Sequence, residues 1–111
     1  MVSNLVEESM AYLIYAIDKN GMERKRETCR EQHRAHLKSA GKMLLASGAL
    51  LADDGVTIIG GISLLDTDSR AVAEKFAFKD PYEKNGIRKE TKIIRWRKRW
   101  FNGDFLDNAE K

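Results

Sequence analysis

The run from Tyr12 to Ile17, reading Tyr-Leu-Ile-Tyr-Ala-Ile, constrains this chain more than any other stretch. It is short, aromatic and β-branched, the composition of a strand. With side chains alternating, Leu13, Tyr15 and Ile17 fall on one face and Tyr12, Ile14 and Ala16 on the other. Both faces are apolar, so both need cover. The chain has 111 residues, enough for one domain with one core. Whatever packs on the first face therefore uses up the chain, and the second face needs something else.

Downstream segments supply the first cover. Asp18 to Gly21 is turn chemistry. A long amphipathic helix follows, from about Met22 to Ala46, with Gly41 as a possible break and Gly48 as its stop. Ala49 to Ala52 reads as a second strand, and Asp53-Asp54-Gly55 is a hairpin signal. Val56 to Leu65 is a third strand, with Gly60-Gly61 marking a bulge or a close approach. Asp66 to Ser69 offers helix caps, and Val72, Ala73 and Phe76 form the stripe of a second helix that Pro81 stops. Ile87 to Arg97 is the fourth strand. Met1 to Met10 and the last ten or so residues are polar and peripheral. The order β-α-β-β-α-β is the ferredoxin-like arrangement of the α+β class. Both helices then lie on one sheet face, and the bare apolar face predicts a homodimer.

On the first helix, Cys29, His33, His36, Leu37, Ala40, Met43 and Leu44 share one face at about 100° per residue. Two histidines thus interrupt an otherwise apolar stripe, flanked by Arg30, Arg34 and Lys38. A buried imidazole without a hydrogen-bond partner is costly. Either the core supplies that partner, or the stripe ends in a pocket.

Charge points to no special class: 33% of residues are charged, and the net charge is +3. The single cysteine, Cys29, has no internal disulfide partner and reads as a core residue. No apolar run reaches the roughly 18 residues of a membrane span, and no secretory leader opens the chain. The expected setting is the reducing cytoplasm.

Several pieces together resemble the YciI-like (YCII-related) family. They are Arg34-Ala35-His36-Leu37 on the first helix and Leu44 to Leu50 with Gly48 on entry to the second strand. Asp54-Gly55, Gly60-Gly61, Ser69 to Ala73, Asp80-Pro81-Tyr82 and Gly86 follow in order. The resemblance implies a dimeric α+β barrel of two ferredoxin-like protomers. It also implies a pocket in which a helix-one histidine faces the aspartate of the Asp-Pro-Tyr motif, mapped here to His36 and Asp80. Some relatives act on chlorinated or lactone ring compounds.

His36 and Asp80 are accordingly the candidate catalytic pair. Histidine titrates near pH 6.5 when unperturbed, and a carboxylate on one ring nitrogen fixes its tautomer. The bland alternative is a non-catalytic small-molecule-binding or interaction module, in which the pair is a structural hydrogen bond tying helix one to the loop after helix two. Arg30, His33 and Arg34 are candidate substrate-binding residues for an anionic group, or else a solvated flank paired with Glu27 and Glu31. His33 and His36 are half of a metal site at most, and no further ligands stand at motif spacing, so no metal is expected. Gly60-Gly61 lacks the strand-to-helix setting of a phosphate loop, and no cofactor is expected. Arg95 to Phe101 interleaves basic and aromatic residues, as a nucleic-acid surface would. A last strand with one aromatic and one wet face accounts for the same pattern, and nucleic acid is not the expected partner. A small-molecule ligand, a small polar or cyclic acid, is.

Overall fold

The computed structural model describes residues 10–106. The expectation for the first residues thus lies outside the described residues, apart from Met10. Strand β1 (Met10–Asp18) leads into helix α1 (Glu23–Ser39). A 3-10 turn (Gly41–Met43) then feeds strand β2 (Leu44–Leu51), which returns as β3 (Ile58–Leu65). Helix α2 (Arg70–Lys79), the short helix α3 (Pro81–Lys84) and strand β4 (Arg88–Arg97) complete the unit. The two-residue strands β5 (Trp100–Phe101) and β6 (Asp104–Phe105) form a hairpin beyond it.

The four long strands make one antiparallel sheet in the order β2-β3-β1-β4. This is the ferredoxin-like α+β fold expected from the order of elements. Tyr12, Ile14 and Leu65 meet Ala73, Phe76 and Ala77 of α2 in the main core, with Leu37, Ala40 and Met43 packed against it. A second cluster joins Cys29, Tyr82 and Ile87. Leu65 is wholly buried, and its truncation to alanine would cost about 2–5 kcal/mol.

Helix α1 is shorter than expected, and β2 is longer. Gly41 has φ +59°, the left-handed conformation that ends helices, so the chain leaves α1 there and not at Gly48. Met43 and Leu44 still reach the core, but from the turn and strand. The glycine pair is a close approach: a Cβ on Gly60 would stand 2.0 Å from the Ala16 carbonyl oxygen.

The pleat puts Leu13 and Tyr15 opposite the helices, level with Leu64, Ile62 and Ile94 on neighbouring strands. Ile94 is 47% exposed, and the others are half-buried. The helix layer covers Tyr12, Ile14 and Ala16 and leaves this second face open.

Candidate functional site

The site forms where α1, α3 and the start of β4 converge. Pro81 holds Asp80 out of the helical region, at φ −60° and ψ 128°. Asp80 then becomes the N-cap of α3: its Oδ1 accepts the Tyr82 amide hydrogen at 2.9 Å. The same oxygen accepts from Nδ1 of His33 at 2.7 Å. The expected contact between His36 and Asp80 is thereby corrected: the histidine on Asp80 is His33, one turn earlier.

His36 finds a different partner. Its Nε2 donates to the Phe76 carbonyl at 2.8 Å, and its ring stacks on the Phe76 ring at 4.4 Å. Helix carbonyls in a last turn lack intrahelical donors. His36 supplies one and ties α1 to the end of α2. The core thus answers for His36, and the pocket for His33.

The His33 ring lies flat on Tyr82, centroids 3.8 Å apart and planes 7° from parallel. Behind Tyr82 stands a buried ionic network. Asp18 Oδ2 accepts from Nε of Arg26 at 2.6 Å and its Oδ1 from Nη1 of Arg88 at 2.8 Å. Arg26 also donates to the Gly60 carbonyl at 3.1 Å. Both guanidiniums lie near the Tyr82 ring, at 4.7 and 5.3 Å from its centroid. Losing one partner of such a network costs about 3–5 kcal/mol, because a buried charge is left unpaired.

Burial pushes the Asp80 carboxyl up, but the opposing effects win. The His33 hydrogen bond and charge, the Tyr82 amide and the Arg88 guanidinium hold it below the usual carboxylate range. An ionised carboxylate only accepts, so Nδ1 of His33 carries the shared proton. Nε2 is the nitrogen left to exchange a proton with something else.

His33 opens onto a groove of about 300 Å³ between α1 and strands β2 and β3. The helix side carries Arg30, His33, Arg34 and Leu37, and Arg26, Arg88 and Tyr82 line it too. The strand side is Ser47, Gly48, Ala49, Gly61, Ile62 and Ser63, mostly small residues, with the two serine hydroxyls 2.9 Å apart. No carboxylate lines the groove. Arg26 and Arg88 share the single carboxylate of Asp18. Arg30 and Arg34 have no hydrogen bond or ion pair among the described residues, so the expected pairing with Glu27 and Glu31 is not formed.

Arg30, His33 and Arg34 therefore come together, whereas His36 belongs to the helix–helix contact. Sequence reasoning missed Asp18, Arg26, Tyr82 and Arg88. One signal was available: Arg26 precedes His33 by two helical turns and shares its face. Among the described residues no group of three His, Cys, Asp or Glu side chains converges as metal ligands. No helix there is long and apolar enough to cross a membrane.

The YCII-related domain model matches residues 10–97, which hold the whole sheet, the three helices and the His33–Asp80 pair. The chain belongs to the YCII-related family. Among solved structures it is similar to the 5-chloro-2-hydroxyhydroquinone dehydrochlorinase TftG from Burkholderia phenoliruptrix AC1100, in complex with 2,5-dihydroxybenzoquinone. That match has a TM-score of 0.70 and 25% identity over 78% of this chain and 93% of the other. A conserved protein from Methanosarcina mazei Go1 shares the fold, with a TM-score of 0.53 and 12% identity over 86% of this chain and 98% of that one. No curated protein matches the sequence.

Proposed function

We propose that this YCII-related chain is an enzyme that moves protons on a small cyclic substrate bearing an anionic group. The observation that carries the reading is Nδ1 of His33 on Asp80 at 2.7 Å, beside a groove lined by two guanidiniums that have no ion pair among the described residues. In this reading Nε2 of His33 takes a proton from a ring hydroxyl or carbon and returns it later. Asp80 holds the tautomer and balances the imidazolium formed in between. Arg30 and Arg34 bind the anionic substituent. The likeness to a dehydrochlorinase bound to a dihydroxyquinone supports a hydroxylated ring as the substrate class.

The test is turnover of a panel of hydroxylated and chlorinated ring compounds that includes 5-chloro-2-hydroxyhydroquinone, followed by absorbance and chloride release. The reading expects at least one substrate, with rates lost in His33→Ala. Inactivity on every ring acid, or full activity in His33→Ala, overturns it.

We also propose that two copies pair through the open sheet face to make a dimeric α+β barrel. Leu13, Tyr15, Ile62, Leu64 and Ile94 would meet their counterparts there. The buried free thiol of Cys29 suits a reducing cytoplasmic setting. Light scattering at micromolar concentration should report twice the chain mass, reduced to one in Tyr15→Asp.

A further inference from the structure

Arg88 is the buried cation nearest the histidine–aspartate pair that the acid–base reading leaves without a task. Its side chain is 8% exposed and has two acidic neighbours. One end is fixed: Nη1 donates to Asp18 Oδ1 at 2.8 Å, and Asp18 is itself held by Arg26. The other end reaches out: Nη2 stands 3.9 Å from Asp80 Oδ2. Asp80 thus divides its oxygens. Oδ1 takes His33 and the Tyr82 amide, and Oδ2 faces the guanidinium. Gly61 makes room for this, since a Cβ there would stand 3.3 Å from Nη2.

We propose that Arg88 is a positioning residue for the His33–Asp80 pair, its charge drawing the Asp80 carboxylate by Oδ2 so that Oδ1 stays aimed at the imidazole. The proposal rests on the reading of that pair as an acid–base device. It adds a residue whose effect on the pair passes through Asp80.

The charged groups around Asp80 come from four elements. Helix α1 brings His33 and, behind Tyr82, Arg26; strand β1 brings Asp18; α3 brings Glu83; β4 brings Arg88. Glu83 accepts the Thr91 hydroxyl, and Arg26 is spent on Asp18 and the Gly60 carbonyl. Beside His33, Arg88 is therefore the cation with a nitrogen left for Asp80. While it is in place, the carboxylate stays ionised as His33 loses and regains its second proton. The imidazole then keeps Nδ1–H toward Asp80 and Nε2 toward the groove. Without it, Oδ2 faces an unfilled space, and the carboxyl competes for the proton it is meant to balance.

The experiment follows the Asp80 carboxyl carbon by NMR in 13C-labelled protein as pH falls, with no substrate needed. In Arg88→Met the titration midpoint should rise by about half a pH unit or more, from loss of a charge near 4 Å. Arg88→Lys, a point charge without the planar fork, should show a smaller rise. Gly61→Val, which displaces the guanidinium without deleting it, should move the midpoint the same way. The acid limb of kcat/KM should shift upward in step. A merely structural Arg88 would lower the melting temperature and leave both titrations in place. An unmoved Asp80 midpoint in folded Arg88→Met overturns the proposal. If that variant does not fold, an unmoved midpoint in both Arg88→Lys and Gly61→Val does so. Full turnover in His33→Ala instead overturns the acid–base reading, whatever Asp80 does.

Discussion

His33 and His36 stand one turn apart on the same face of α1, yet they are built into different regions. Around His36, which is half-buried, a backbone carbonyl and the Phe76 ring take up the imidazole. Around His33 one nitrogen is held by a carboxylate, one ring face by Tyr82, and the rest looks into a cationic groove. The same side chain becomes a strut in one place and a candidate proton carrier in the other. What separates them is the partner. A carbonyl fixes the ring without balancing its charge, whereas a carboxylate does both.

Exchanging the two histidines in turn should break this comparison most visibly. With a substrate identified, His33→Ala and Asp80→Asn should each lower kcat/KM by about 10²–10⁴-fold. His36→Ala should leave kcat/KM within a few-fold and lower stability by about 1–3 kcal/mol, read by urea denaturation. Equal losses of activity in both histidine variants would erase the distinction.

Acid should separate the regions next. The Asp80 carboxyl is held below its ordinary value in the folded protein, so the folded state binds the proton less readily than the unfolded chain. Its contribution to stability is complete above the unfolded value, near pH 4, and is lost as pH falls through the folded value. The unfolding free energy from urea titrations should therefore fall more steeply below about pH 4 in the wild type than in Asp80→Asn. His36→Ala should retain the wild-type slope, because no carboxylate meets that ring.

The smallest effects concern Tyr82. Tyr82→Phe keeps the stack and loses only a long 3.4 Å hydrogen bond to the Arg26 carbonyl. It should cost less than about 1 kcal/mol. Tyr82→Leu removes the ring beneath His33 and should cost about 1–3 kcal/mol while raising KM. If the two variants behave alike, the stack does not orient His33.

Much of the fold could be read directly. The two-sided apolar strand at Tyr12 to Ile17, the turn signals and the order of periodic segments led to the ferredoxin-like arrangement. Its sheet order follows from chain connectivity. The end of α1 was less legible, because Met43 and Leu44 continue the helical period by coincidence while their contacts come from a turn and a strand. Asp80 was legible through Pro81. Its partner was not: His33 and His36 both fit the stripe, and helical periodicity cannot say which turn faces the exit of α2. Asp18, Arg26 and Arg88 were invisible for a related reason. Charged residues at element ends usually face water, and only the folded arrangement shows these three paired inside.

Asp80 belongs to His33, and the Phe76 carbonyl to His36. Long-range 1H–15N NMR of the two imidazoles in alkaline solution distinguishes the partners by tautomer. Opposite tautomers are expected: the proton on Nδ1 in His33 and on Nε2 in His36, with Asp80→Asn altering only the His33 pattern. A His33 ring protonated on Nε2, or an Asp80→Asn change that appears at His36, would contradict it.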